Sequence, residues 1–397
     1  MRRKILFITR WYPNRVDKLD GNFIENHARA VSMYADLVVL YVGADPAMSD
    51  KLYDCAVSTE HGFTVVRVWY RNNDVSTKIT GRIIKFFRYV KATRIAWLKT
   101  KKIFGLPDVN HVHIFTRPVL LAFYLRFKFG IPFLITEHSS HFVHDLPVLL
   151  PPMKWFAQYA ARQAKIITAV SKTLEEAMNS FGLHGNYRII PNVVFVTNND
   201  QLKKEDPELV NIIAIGGLTD QRKNIAGLIT EFSNIHQQIP NARLNIIRPV
   251  PDKTLYNKAF STGLLNEKIF FHDYLSNEEV YGMLSSCSFL VVNSISETFS
   301  MAAAEALACG KPVITTRCGG PEEFIDTANG ILIDTYAPRQ LAAALINMYE
   351  KHSQYNAEEL KKFAAAHFSA TVVGKKFVEI YDELFLQSPP ARQVAAQ

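Results

Sequence analysis

The chain has 397 residues, 48% hydrophobic and 21% charged, with a net charge of +8; this is a globular composition, long enough for two cores. No run approaches the roughly 18 apolar residues of a membrane span, and Arg2-Arg3-Lys4 precedes only Ile5 to Ile8, a buried strand and not a signal-peptide core. Four scattered cysteines, Cys55, Cys287, Cys309 and Cys318, lack metal-type or redox-type spacing and fit a reducing cytoplasm.

Lys4 to Thr9 reads as a buried parallel strand, broken by Trp11-Tyr12-Pro13-Asn14. A loop then runs to Asp20-Gly21-Asn22, and Phe23 to Val31, including Glu25, has helical character with Asp20 or Asn22 as possible caps. Leu37 to Val42 is the next buried strand. The chain thus opens as strand, loop, helix, strand, and the loop belongs at the carboxyl ends of the strands, where open parallel sheets hold ligands.

Phe63 to Tyr70 alternates as a strand. From Val75 to Pro107 there are nine basic residues and no acidic one. On a helical wheel Ile83, Phe86, Phe87, Val90, Trp97 and Leu98 gather on one side, with Arg82, Lys85, Arg88 and Lys91 mostly on the other. One reading packs the apolar side on the sheet and solvates the charges. The other uses Arg82, Lys85, Phe86, Phe87 and Arg88 to dock on an anionic membrane face.

Val109 to Ile114, Phe133 to Thr136 and Lys165 to Ser171 are further strands, with helices at Val119 to Phe129, Pro151 to Ala164 and beyond Ser171, which caps the last. Glu137-His138-Ser139-Ser140-His141 therefore falls at a strand's carboxyl end. His138, His141 and His144 do not suggest a metal site, because no carboxylate partner is suitably spaced. Arg188 to Val194 closes a first half with 27 Lys and Arg against 14 Asp and Glu in residues 1–195, leaving 18 against 23 for the rest. A half at +13 beside one at −5 points to an anionic partner for the first.

Asn211 to Ile215 restarts the pattern and leads into Gly216-Gly217, with Arg222-Lys223 at the start of a helix. Glycines allow close backbone approach and paired cations suit a diphosphate. Arg243 to Arg248, Lys268 to Asp273 and Phe289 to Asn293 are strands, and 337–352 and 370–388 are amphipathic helices.

Ser296 to Ile314 reads as loop, helix and strand, followed by Gly319-Gly320-Pro321-Glu322-Glu323 as a loop and helix. Thr298 or Ser300 can cap the first helix and Gly310 can end it in a left-handed turn. Glu297 sits before that helix, beside the amides of Phe299, Ser300 and Met301, while Glu305 lies on its inward face among alanines. A half-buried carboxylate needs donors, and sugar or ribose hydroxyls would supply them.

Glu297 and Glu305, seven residues apart, then Ala308-Cys309-Gly310-Lys311-Pro312-Val313-Ile314 and Gly319-Gly320-Pro321-Glu322, closely resemble the donor-site motif of family 4 glycosyltransferases (glycosyl transferases group 1), retaining enzymes of the GT-B fold. Gly21-Asn22-Phe23-Ile24-Glu25-Asn26-His27, Thr136-Glu137-His138 and the Pro191-Asn192 hinge also look like that family. Two departures stand out: Asp20-Gly21 where two glycines are common, and Gly217 where an arginine is usual. Arg248-Pro249 likewise replaces an expected glycine, which alters base recognition.

The resemblance implies an α/β GT-B protein of two doubly wound, Rossmann-like domains facing across a cleft. It places an acceptor-side domain at 1–194, a nucleotide-sugar domain at 195–370 and a helix crossing back at 371–397, ending in a loose tail from Ser388. Implied donor contacts are Gly216, Gly217, Arg222, Lys223, Glu297, Phe299, Ser300, Met301 and Glu305; acceptor-side contacts are Gly21, Asn22, Phe23, Glu25 and His138. Glu297, His138, Arg222 and Lys223 would act in transfer, with no metal and no cofactor beyond the nucleotide-sugar substrate. The expected acceptor is a glycan or lipid-linked hydroxyl in envelope polysaccharide or glycolipid synthesis, with a cytoplasmic protein peripheral to the membrane and no nucleic-acid partner. Rival readings are an epimerase or hydrolase on the same fold, and a non-catalytic membrane-associated binding protein.

Overall fold

The computed structural model describes residues 2–76, 78–143, 151–195, 208–217, 220 and 222–387. The polar stretch Thr197 to Pro207, His144 and the tail from Ser388 lie outside them.

The first half alternates β1 (Lys4–Thr9), α1 (Asn22–Ser32), β2 (Asp36–Asp45), β3 (Tyr53–Glu60), β4 (Phe63–Arg71), α2 (Ile79–Phe104), β5 (Val109–His113), α3 (Val119–Phe129) and β6 (Phe133–Glu137). It continues through α4 (Pro151–Gln163), β7 (Ile166–Ala169), α5 (Lys172–Phe181) and β8 (Tyr187–Ile189). Its eight strands run in the order β3-β4-β2-β1-β5-β6-β7-β8, parallel except for the β3–β4 hairpin. β1 pairs with β2 through Ile5–Leu37 and with β5 through Ile5–Val109. Ile5 to Ile8 are buried on both faces because helices cover both sides, which is why the strand is continuously apolar.

The second half comprises β9 (Val210–Ile215), α6 (Ile225–Ile235), β10 (Ala242–Arg248), α7 (Lys253–Ser261), β11 (Ile269–Asp273), α8 (Asn277–Ser285), β12 (Phe289–Val292), α9 (Met301–Ala308), β13 (Val313–Thr316), β14 (Gly330–Ile333) and α10 (Pro338–Lys351). Its sheet order is β11-β10-β9-β12-β13-β14, all parallel. In each sheet the winding reverses beside its first strand, between β1 and β5 and between β9 and β12. Such switch points open crevices at the strands' carboxyl ends, and the loops after β1, β9 and β12 stand there.

Two last helices follow, α11 (Ala357–Phe368) and α12 (Ala370–Leu386). Val373, Phe377 and Tyr381 of α12 join the core of the first sheet with Ile5 and Phe7. The Tyr381 hydroxyl lies 2.7 Å from His111 Nδ1, and Gly374 sits against the Ala30 carbonyl where a side chain would collide. Each buried aromatic contributes about 1.5–3 kcal/mol, so this helix is firmly seated on the first half. No described helix is long and apolar enough to cross a membrane.

Three local expectations are corrected. Gly21, at φ 65, takes the cap position of α1, not Asp20 or Asn22. Ser300 precedes α9 at φ 71 without a side-chain cap, while the Thr298 hydroxyl turns to the His138 carbonyl at 3.4 Å. The apolar stripe of α2 is also rotated: Tyr89, Ala92, Ala96 and Trp97 are buried, whereas Ile83, Phe86, Phe87, Val90 and Leu98 remain exposed.

Candidate active site

The loop from β12 to α9 carries Glu297. Its carboxylate lies 2.5 Å from Lys223 Nζ and accepts a 2.7 Å bond from the Ser294 hydroxyl. The Glu297 N–H donates to the Cys318 carbonyl at 2.7 Å, and the Gly320 N–H donates to the Glu297 carbonyl at 3.0 Å. A side chain on Gly320 would meet the Phe299 backbone at 2.5 Å, so only glycine lets this turn brace the loop. The segment 320–323 is a single 3-10 turn, tighter than the helix expected there.

Glu305 lies one turn into α9, on the same cavity as Glu297. Tyr281 donates its hydroxyl to the carboxylate at 3.0 Å. Burial pushes the Glu305 carboxyl up to about 7, an effect the Tyr281 bond partly opposes.

The cation pair divides its labour. Lys223 faces Glu297, whereas the Arg222 guanidinium reaches the Ser140 hydroxyl of the first half. The α6 N-terminus is already served: Asp220 accepts from the Ile225 N–H at 2.6 Å and the Ala226 N–H at 3.0 Å, and Asn224 from the Gly227 N–H. The first amides of α6 are thus capped from within the loop, and of this turn Gly216 and Lys223 line the cavity. Arg248 is buried beneath Gly216, its Nη1 3.3 Å from where a side chain would begin, and is held by Asp252 at 3.3 Å and the Val250 carbonyl at 3.2 Å. It thus sets a positive charge behind the glycine turn, a role no feature of the sequence announced.

On the opposite wall, a side chain on Gly21 would meet the Trp11 carbonyl carbon at 2.5 Å, so only glycine fits against that backbone, and Asn22 and Phe23 line the cavity. Glu25 does not: two residues on, the helix has turned about 200° and its carboxylate lies 3.6 Å from His61 Nε2, away from the cleft. Gly217 and Arg222 also stand outside the cavity lining itself.

His138 forms the floor. Phe23 lies 4.7 Å from its ring centre, His27 5.3 Å and His113 5.5 Å. The His138 and His113 rings share a 3.2 Å hydrogen bond through His138 Nε2, and among the described residues His138 Nδ1 has no hydrogen-bond partner. His27 donates from Nε2 to the Pro191 carbonyl at 3.3 Å. Burial holds His138 and His113 well below the ordinary imidazole range and His27 at about 4, so all three are neutral near pH 7. One nitrogen of each lies within 4.8 Å of the others, the spacing of a possible three-imidazole metal site. The hinge carbonyl and the ring-to-ring bond already engage these rings as a polar network. Ile114, β-branched yet at φ 78, bends the chain after β5 so that the Phe115 N–H donates to Glu137 at 3.0 Å; Glu137 also accepts from the His138 and Ser139 amides. Glu137 is a brace for this loop.

Between the walls lies a cavity of about 390 Å³, lined by Asn22, Phe23, His138 and Asn192 from the first half and by Gly216, Lys223, Glu297, Phe299, Ser300, Met301 and Glu305 from the second. A larger space of about 740 Å³ runs along β14 and gathers none of these groups. The walls are pinned by Glu323, whose carboxylate accepts from the Lys172 and Thr173 amides at 2.9 and 2.8 Å and from the Thr173 hydroxyl at 2.9 Å. This carboxylate of the second half thereby caps α5 of the first. A double-mutant cycle of Glu323→Ala with Thr173→Val, followed by chemical denaturation, is expected to show coupling of about 1 kcal/mol; additive effects would refute the hydroxyl bond, and no loss of stability in Glu323→Ala alone would refute the bridge.

A GT-B glycosyltransferase fold is defined by this architecture, and Anabaena HepE solved in complex with UDP shares it at a TM-score of 0.69, with 17% identity over 96% of this chain and 100% of that one. The model for glycosyl transferases group 1 matches residues 197–366, and that for glycosyltransferase family 4 matches residues 56–197. The chain belongs to these family 4, group 1 glycosyltransferases. An uncharacterised glycosyltransferase of Methanocaldococcus jannaschii is 28% identical over 70% of this chain and 76% of its own. N-acetyl-alpha-D-glucosaminyl L-malate synthase of Bacillus anthracis is 24% identical over 69% and 74%.

Proposed function

We propose that the enzyme transfers a sugar from a nucleoside-diphosphate donor to the hydroxyl of a glycan or lipid-linked acceptor, with retention at the anomeric carbon. The observation that carries this reading is the convergence of Lys223, Glu297 and Glu305 with His138 on one interdomain cavity. Transfer requires a stabilised leaving diphosphate and an oxocarbenium-like sugar. Lys223 meets the diphosphate at the Gly216 turn, with Arg222 and the buried Arg248 adding positive field. Glu297 takes the donor sugar's hydroxyls beside the Phe299, Ser300 and Met301 amides, and Glu305 takes the ribose. Neutral His138 accepts or donates a hydrogen bond at the sugar without adding charge.

No metal or further cofactor enters this proposal. The leaving phosphate would take the acceptor proton, so no side chain is assigned as general base. UDP bound by HepE supports a nucleotide in the corresponding cleft. A small polyol or hydroxy acid is the second acceptor reading, favoured by the malate of the Bacillus relative. An envelope role at the inner membrane face is proposed from the basic first half.

The test is product analysis: UDP- and GDP-sugars incubated with and without membrane extract, with the product's anomeric configuration read by NMR. Acceptor-dependent transfer with the donor's configuration kept is expected. Inversion would overturn the retaining mechanism, and turnover without acceptor would favour a hydrolase or epimerase.

A further inference from the structure

We infer that the first domain docks on an anionic lipid bilayer through one continuous face built by α2, α3 and α4, wider than the basic helix alone. These helices lie side by side on one side of the first sheet: Trp97 meets Phe129 at 6.5 Å, and Phe123 meets Phe156 at 5.9 Å. Their inner residues share one core, whereas α1 and α12 pack the other side of the sheet.

The charge is segregated by helix; α5, whose inner residues share the same core, holds Lys172 with Glu175 and Glu176 and stands outside the docking set. Ile79–Phe104, Val119–Phe129 and Pro151–Gln163 together hold twelve Lys and Arg and no Asp or Glu. On the opposite side, α1 and α12 hold three Lys and Arg against four Asp and Glu. A solubility requirement would not sort charge in this way; an anionic partner of one face would.

The same acid-free face carries large apolar groups in water. Phe127 is 95% exposed, Ile79 75%, Trp155 68% and Phe87 64%, with Ile83 and Met153 beside them. Aromatic and aliphatic side chains set among cations suit the headgroup and upper acyl layer of a membrane. A nucleic acid would use the cations but offers little to Ile79 or Met153. Arg88 drops out of the docking set, because it is tied to Asp74 at 2.6 Å and to the Arg71 carbonyl at 2.8 Å.

Ile79, Ile83, Met153 and Trp155 belong to the first turns of α2 and α4. Those helices begin beyond the carboxyl ends of β4 and β6, the end of the sheet that bears the cleft. A bilayer seated there would present a lipid-linked hydroxyl near the cleft mouth. Docking does not depend on the transferase reading, since vesicle binding requires no turnover.

The experiment is flotation of the full chain with phosphatidylcholine vesicles, with and without phosphatidylglycerol, at low and high salt. Flotation only with the anionic vesicles, weakened by salt, is expected. Replacing Arg82 and Arg94 by alanine should lower partitioning about fivefold per cation, the equivalent of about 1 kcal/mol each. The pairs Ile83→Ser with Phe87→Ser on α2, and Phe127→Ser with Trp155→Ser on α3 and α4, should each lower it at least about fivefold. Thermal melting checks that these exposed substitutions leave the fold intact. No flotation by the wild type overturns the inference. So does an unaffected Phe127→Ser, Trp155→Ser pair, which would confine docking to α2, or equal binding to duplex DNA, or a dimer in solution dissolved by the same substitutions.

Discussion

Lys223→Met is expected to lower kcat/KM for the donor about 10²- to 10³-fold, the loss typical of removing one charge-stabilising donor from a preorganised site. The reason lies in what surrounds the amine. Lys223 lines the cavity wall 2.5 Å from Glu297, whereas Arg222 is turned toward Ser140 and the other lining cation, Arg248, is buried and held by Asp252. With the amine gone, Glu297 keeps, among the described residues, the Ser294 hydroxyl as its side-chain partner, and its charge repels the incoming diphosphate. Lys223→Arg should recover part of the rate and Arg222→Ala should cost less than Lys223→Met. Steady-state kinetics check this ordering, and a Lys223→Met enzyme within about threefold of wild type would remove the lysine from the mechanism.

Glu305→Gln should produce two opposite effects. The folded protein holds this carboxyl at about 7 against an ordinary 4.5. Between those values the native state binds a proton that the unfolded chain releases, so stability contributed by this group is present at low pH and lost as pH rises toward 7. The full span corresponds to roughly 3 kcal/mol. Removing the charge should therefore raise the unfolding temperature at pH 8 and leave it nearly unchanged at pH 4. Donor binding moves the other way: a carboxylate accepting ribose hydroxyls is replaced by a neutral amide, which weakens affinity about 10- to 100-fold. Wild-type donor affinity should also fall as pH drops through about 7. Thermal melts across pH and donor titrations separate these effects; a pH-independent difference in melting would contradict a buried charge.

The alternation of buried strands and helices was legible because both faces of each sheet are covered, making Ile5 to Ile8 or Phe289 to Val292 continuous apolar runs. β3 escaped because it is an edge strand whose Cys55 and Val57 stay exposed, so burial imposes no pattern on it. Glu297, Glu305 and His138 were legible from local motifs, since each sits in a loop or first turn whose neighbours serve the same wall. Glu25 was misplaced: its motif is contiguous in sequence, but helical phase sends Phe23 into the cleft and Glu25 toward His61. Asp220 at the α6 terminus, Arg248 beneath Gly216 and Glu323 on α5 were illegible. Arg248 and Glu323 act through partners that only tertiary folding brings near, whereas Asp220 accepts from amides five and six residues on, a loop geometry that no periodic pattern announces. The apolar stripe of α2 misled because exposure, not burial, organises it, and no wheel distinguishes a core-facing stripe from one that faces a partner.

The central claim, a donor site between the two domains, is tested most directly by nucleoside diphosphate release from UDP- and GDP-sugars, with and without acceptor extract, by wild type and Glu305→Ala. Acceptor-dependent release with one donor nucleotide, collapsing in the variant, is the predicted result. Equal release by the two proteins, or neither turnover nor nucleotide binding by the wild type across the panel, would contradict it.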